Sequence, residues 1–291
     1  MAAIDFLNPA PLMWDFEHEP GRSRLSRRYV NQYTTPANCA RLLASGEADL
    51  GLVPAAAHAV TPGLWVAPGC AIASLDCVRS ILLIVRAQQG IEGVQSVAAD
   101  SSSRSSVAYA RILFHRWWKR KPEFRVQRPD LEAMLEAADA ALLIGDPALV
   151  ALENRLSREE RTGERLHYFD LAHEWRAFTG LPWVAAFWAV RAGALEEAGV
   201  DAASLAADLQ QSRDHGLANV ESLANEWSPL LALPARVIRS YLTQNIHYTL
   251  DGPCLESLER FYRYAAECGA LPPAAPLSML EVGAPTSRRG G

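Results

Sequence analysis

The sequence predicts an α/β protein of two lobes with a ligand cleft between them, on three observations. First, Asp139-Ala140-Ala141-Leu142-Leu143-Ile144-Gly145-Asp146-Pro147-Ala148-Leu149-Val150 is an apolar run of strand length that breaks at Gly-Asp-Pro and resumes as an Ala/Leu/Val pattern. It reads as a buried strand, a tight turn and a new helix. Second, the order helix, Ala-Asp, strand, proline, helix occurs once in each half: Leu42-Leu43, Ala48-Asp49 and a strand closing at Pro54 parallel Met134-Leu135, Ala138-Asp139 and a strand closing at Pro147. Third, 291 residues are long enough to favour two lobes over one. The turn sets Asp146 at a strand's carboxyl end, where ligands bind in open α/β sheets. Asp146 either caps the helix whose first residue is Pro147 or meets a ligand.

In chain order, Ala3 to Leu7 reads as a strand broken by Asn8-Pro9-Ala10-Pro11, which leaves Asn8 at its end. Asn8 is open to two roles there, a cleft-facing amide or an Asx-turn before Pro9. Thr35 caps a helix with Pro36 in its first turn, ending near Gly46. Leu50 to Pro54 is the next strand, followed by Ala-rich helix, and Ser80 to Arg86 another. Gln88 to Gln95, with Gly90 and Gly93, reads as a connection between lobes. Val94 to Ala99 is a strand leading into Asp100-Ser101-Ser102-Ser103-Arg104-Ser105-Ser106, after which Val107 to Phe114 has helical spacing. Unpaired N–H groups, the helix dipole and serine hydroxyls suit a carboxylate or phosphate at that helix start; redundant N-capping in a serine loop is the other reading.

Leu166 to Leu171 reads as a strand, His173 to Pro182 as a turn-rich bridge, and Trp183 to Arg191 as an apolar strand crossing back to the first lobe. From Leu195 to about Cys268 the pattern is helical, with breaks at Gly216, Pro229, Pro234 and Gly252-Pro253. The expected division is 1–92 with 188–272 as one lobe and 93–187 as the other. The Pro/Gly/Ser-rich tail, 273–291, is expected to be disordered.

Composition narrows the function classes. Hydrophobic content of 49% with 21% charged residues is that of a soluble globular protein, and a net charge of -5 gives no footprint for nucleic acid or a membrane surface. Arg111, Arg116, Lys119, Arg120 and Lys121 read as one solvated helix face. Five cysteines without zinc-like spacing point to a reducing compartment. The opening Met-Ala-Ala-Ile-Asp-Phe-Leu-Asn is not a signal peptide, and no apolar run approaches the length of a membrane span, so a cytoplasmic protein is expected. There is no Gly-x-Gly-x-x-Gly, phosphate loop, His-Glu-x-x-His or Gly-x-Ser-x-Gly. The seven histidines are scattered; His167 and His173 are the closest, and neither has an evident ligand set, so no metal is expected.

Six blocks in order carry a resemblance: Phe6-Leu7-Asn8 with Pro11-Leu12, Leu50-Gly51-Leu52-Val53-Pro54, Val78-Arg79-Ser80-Ile81-Leu82, Asp100 through Ser106, Leu143 to Leu149, and Thr179-Gly180-Leu181-Pro182-Trp183-Val184. From about Ile4 to Leu271 the chain resembles the chorismate dehydratase family, which opens the futalosine route to menaquinone. The resemblance implies a periplasmic-binding-protein-like (type II) fold and conversion of chorismate to 3-[(1-carboxyvinyl)oxy]benzoate and water, without a cofactor. It implies Asn8 and Ser80 as catalytic residues, and Pro54, Ser102, Ser103, Ser105, Ser106, Gly145, Asp146, Thr179 and Gly180 as substrate-binding. No general base stands out, and the family's implied answer is that the substrate's own enolpyruvyl carboxylate takes the proton. Two departures are Ser105, where family members commonly have Thr, and Ala55-Ala56-Ala57, where others carry larger or polar residues. The expected partner is a small dicarboxylate, and the state a monomer or homodimer. The alternatives are an enzyme of the 1,4-dihydroxy-6-naphthoate synthase type, which would place a histidine in the cleft, and a non-catalytic carboxylate-binding protein.

Overall fold

The computed structural model describes residues 1–282. In chain order the strands are β1 (Ala2–Ile4), β2 (Gln32–Thr34), β3 (Leu50–Pro54), β4 (Leu64–Ser74), β5 (Ile81–Arg86), β6 (Ser96–Asp100), β7 (Glu123–Gln127), β8 (Ala140–Ile144), β9 (Leu166–Asp170), β10 (Trp183–Arg191) and β11 (Ser278–Met279). The helices used below are α1 (Ala10–Glu17), α2 (Pro36–Ala44), α3 (Ser105–Ile112), α4 (Gly145–Glu153), α5 (Leu171–Thr179), α6 (Ala202–Ala218) and α7 (Gly252–Glu267).

Two mixed sheets form the lobes. The first has the order β11-β4-β10-β3-β1-β2 and the second β7-β6-β8-β5-β9. In β3 and β8 every residue is buried, which is why both read as unbroken apolar runs. The repeated unit holds in three dimensions: β3 and β8 occupy interior positions of the two sheets, and each ends at the cleft in a turn to a helix. Thr35 caps α2 as expected, its side chain accepting from the Asn38 N–H.

The lobe boundaries differ from the expected ones. β5 belongs to the second sheet, pairing with β8 and β9, so the chain crosses over between Ser74 and Ile81 rather than at Gln88–Gln95. Gly90 and Gly93 instead form a turn between two strands of one sheet. β10 lies in the first sheet from its first residue, Trp183 opposite Ser74, so the return is near 180–182 and not at 187. The crossover is fixed by Asp170, whose carboxylate accepts from the N–H groups of Val78 and Arg79 and also caps α5 through Ala172 and His173.

Four further points differ from the sequence reading. β4 escapes sequence detection because Pro68-Gly69 interrupts it; the register against β10 shifts there as a bulge. Most of His173 to Pro182 is helix α5 rather than a turn-rich bridge, closed by Gly180 in the left-handed region (φ 75°). The tail is ordered over 273–282 in part: β11 pairs parallel with β4. The remainder of that expectation, 283–291, lies outside the described residues. Gly216 and Pro229 do not break helices, since α6 runs through the first and the helix Val220–Leu231 contains the second.

An aromatic cluster joins the lobes. Tyr109 of α3 stacks between Trp183 (ring centroids 3.7 Å) and Phe261 of α7 (4.1 Å), with Trp175 of α5 edge-on at 4.8 Å. All four rings are fully buried.

Candidate functional site

The carboxyl ends of β1, β3, β6 and β8 converge on a cavity of about 480 Å³, counted to its mouth. The space enclosed within its walls is much smaller, about 50 Å³, so the cavity is narrow and open at its mouth. From the first lobe come Phe6, Asn8, Pro54 and the β10 residues Ala185 and Ala186; from the second, Ser102 to Ser106, Ile144 and Gly145. Of the residues expected at the site, Asn8, Pro54, Ser102, Ser103, Ser105, Ser106 and Gly145 are thus together on its walls.

The serine loop is pinned rather than flexible. Asp100 at the end of β6 is buried, and its Oδ1 accepts from both the N–H and the Oγ–H of Ser102 at 2.9 and 2.7 Å. That folds the loop so that α3 begins at the cavity. No side chain caps α3, because Arg104 occupies the capping position. Its first N–H groups are therefore left to a ligand or water, with the positive end of the dipole behind them. Among the described residues the Ser103 Oγ is buried without a partner, and Arg104, exposed at the mouth, is the only ionisable side chain of the lining. Ser105 is differently employed: its Oγ accepts from the Ala56 N–H at 2.9 Å, bridging the lobes.

Across the cavity the Asn8 Oδ1 is likewise buried, with no partner among the described residues. An unmet acceptor of this kind costs roughly 1–3 kcal/mol unless a ligand or water supplies a donor. Its own backbone is held, the Tyr248 hydroxyl donating to the Asn8 carbonyl at 2.9 Å. Two other buried tyrosines of the C-terminal segment brace neighbouring wall residues from behind. Tyr262 donates to the Ala55 carbonyl and Tyr241 to the Ser80 Oγ, both at 2.8 Å.

Four expected site residues do not line the cavity. Ser80 is fully buried one position behind Ile81, with its Oγ taken by Tyr241. Thr179 and Gly180 close α5: the Thr179 Oγ–H donates to the Trp175 carbonyl at 2.7 Å and Gly180 provides the left-handed cap. Asp146 lies in the first turn of α4 but does not cap it; both its oxygens accept from the Leu7 N–H of the opposite lobe, at 3.0 and 3.3 Å. Burial pushes its carboxyl up to about 6.

Arg104, Phe6, Ala185 and Ala186 line the cavity without having been singled out from sequence. For Arg104 a signal existed, as the one cation inside the serine run. The alanines had none, since a β10 position reads only as buried strand. All seven histidines are among the described residues and none lines the cavity. His173 does have neighbours that linear distance hid: with Asp76 and Cys77 it forms a group of metal-ligand geometry, as do His247, Asp251 and Cys254. In both, the histidine already bonds the aspartate at 2.8 Å. No described helix is long and apolar enough to cross a membrane.

Known proteins resemble this arrangement at two levels. The fold is that of periplasmic binding proteins. The aliphatic sulphonate binding protein SsuA of Escherichia coli superimposes with a TM-score of 0.63 at 15% identity, covering 95% of this chain and 94% of that one. A crystal structure of a protein from Archaeoglobus fulgidus gives 0.67 at 14% identity, covering 93% and 97%. In sequence, a chorismate dehydratase of Thermus thermophilus is 29% identical over 237 residues, covering 79% of this chain and 84% of that protein. The profile of the family described as menaquinone biosynthesis matches residues 1–267. With that match spanning both lobes and the cavity between them, the chain belongs to the menaquinone biosynthesis family.

Proposed function

We propose that this protein is a chorismate dehydratase, a hydro-lyase that converts chorismate to 3-[(1-carboxyvinyl)oxy]benzoate and water. The observation that carries the reading is the pairing of an uncapped helix start, with its free Ser103 hydroxyl and Arg104, against the unpartnered Asn8 amide across one cavity. Chorismate supplies what each lacks. A carboxylate suits the α3 end and Arg104; the ring hydroxyl can donate to Asn8.

The reaction needs a proton taken from the ring carbon that bears the enolpyruvyl ether, while the C–O bond to the neighbouring hydroxyl breaks. The C–H electron pair becomes part of the aromatic ring, and the C–O pair leaves with oxygen. The proton and the hydroxide depart together as water. Negative charge developing in the ring spreads to the ring carboxylate, where donors fixed beforehand at α3 stabilise it; such preorganised donors are each worth roughly 3–4 kcal/mol. Among the described residues the lining offers no carboxylate, imidazole or amine, so the acceptor that fits is the substrate's own enolpyruvyl carboxylate, with the walls fixing its approach. The absence of histidine from the lining weighs against a site of the dihydroxynaphthoate synthase type.

The test is to incubate the purified protein with chorismate and identify the product by mass. Conversion to a species lighter by one water supports the reading. Chorismate that binds, as seen by calorimetry, and stays unchanged supports a binding protein instead.

A further inference from the structure

We infer that Asp146 is a positioning residue that holds the Leu7–Asn8 backbone from the opposite lobe, so that the Asn8 amide reaches its working place only when the lobes are together. The inference rests on the chorismate dehydratase reading for Asn8's role, but its geometry stands apart from it.

Among the described residues Asp146 is not on the cleft cavity's walls and bonds nothing on its own lobe through its side chain. Its one partner is a backbone N–H of the other lobe, next to Asn8 in sequence. A carboxylate at the start of α4 gains from the helix dipole, yet a half-buried one is still costly, and a single N–H is a thin return. Position explains it better than stability. The same two segments meet a second time: Gly145 has φ 60°, and a Cβ added there would stand 2.9 Å from the Phe6 ring. So the turn Gly145-Asp146 is shaped to let Phe6-Leu7-Asn8 approach at that distance. With the Tyr248 hydroxyl on the Asn8 carbonyl, the Leu7–Asn8 segment is gripped at two points, one within the C-terminal segment and one across the cleft. Only the second is broken when the lobes part.

The experiment compares Asp146→Ala with Asp146→Asn. Asn keeps an acceptor for the Leu7 N–H, and Ala does not. Asp146→Ala is expected to lower kcat by about tenfold to a hundredfold with KM within about threefold, since misplacement of a working group costs turnover more than binding. Asp146→Asn is expected to recover kcat to within about threefold of wild type. Hydrogen exchange at the Leu7 amide supplies a readout independent of turnover: exchange is expected about a hundredfold faster in Asp146→Ala and near wild type in Asp146→Asn. Wild-type kcat in the alanine variant would overturn the inference. So would an asparagine variant as slow as the alanine one, because the charge and not the acceptor would then be what matters. If wild-type protein does not convert chorismate, the exchange measurement still decides whether Asp146 holds Leu7, and unchanged protection in the alanine variant would sink it.

Discussion

Helices α3 and α4 both start at the cleft, α4 directly after β8 and α3 after β6 and the serine loop, yet they treat their free N–H ends in opposite ways. α4 carries its own anion in its first turn, Asp146, and that carboxylate is spent on the Leu7 N–H across the cleft. α3 carries no acid in its first turn and no side-chain cap, only serines and Arg104. On the proposed reading the two starts divide the work: Asp146 ties α4 to the opposite lobe, while the α3 start, with no acid or side-chain cap of its own, is where a substrate carboxylate would sit.

The largest effect is expected at Asn8, which faces the α3 end. Asn8→Ala should lower turnover by about a hundredfold or more, while Tm in a thermal melt stays within about two degrees of wild type, because the Oδ1 it removes is a buried acceptor with no partner. An equal loss of folding and activity would make Asn8 a turn residue only. Next is the cation at the α3 end. Arg104→Gln is expected to raise KM for chorismate by about tenfold with little change in kcat, an exposed charge contributing about 1 kcal/mol. Steady-state kinetics at two salt concentrations checks it, since the wild-type KM, and not the variant's, should rise with salt.

The smallest effect concerns α4 and is a matter of pH. Burial, with Asp5 as a further negative neighbour, places the Asp146 carboxyl at about 6, above its ordinary 3.8. The folded protein therefore holds this proton more tightly than the unfolded chain. That contribution is fully present below about 3.8 and is lost as pH rises through 6. Asp146→Asn has nothing to lose, so it should melt a few degrees above wild type at pH 7–8, about 1–2 kcal/mol, and coincide with it below pH 4. Melting curves that differ equally at all pH values would contradict this.

The two-lobed α/β fold was legible because strands buried on both faces, β3 and β8, have to be apolar throughout and have to stop at a turn residue. β4 was not, since Pro68-Gly69 makes the bulge and erases the run that would have marked it. The serine loop and Asn8 could be found from chemistry alone, being polar residues at strand ends. Asp146 reads from sequence as a helix cap or a ligand contact and instead bonds the Leu7 N–H, because a hydrogen bond to a residue 139 positions away leaves no mark in local sequence. Thr179 and Gly180 adjoin β10 in sequence and so travelled with the resemblance, but their local geometry is that of a helix end. Ser80 is the intermediate case: one residue from the lining, it acts on the site only through what Tyr241 and the Gly145 N–H, which donates to its carbonyl at 2.8 Å, hold in place.

The most direct test of the account is a single-turnover mixture of purified protein in excess over chorismate, quenched and analysed by mass, with Asn8→Ala alongside. The account predicts that wild type converts chorismate to 3-[(1-carboxyvinyl)oxy]benzoate with no added cofactor and that the variant binds it but converts it about a hundredfold more slowly. Chorismate recovered intact from wild-type protein that demonstrably binds it would contradict the account.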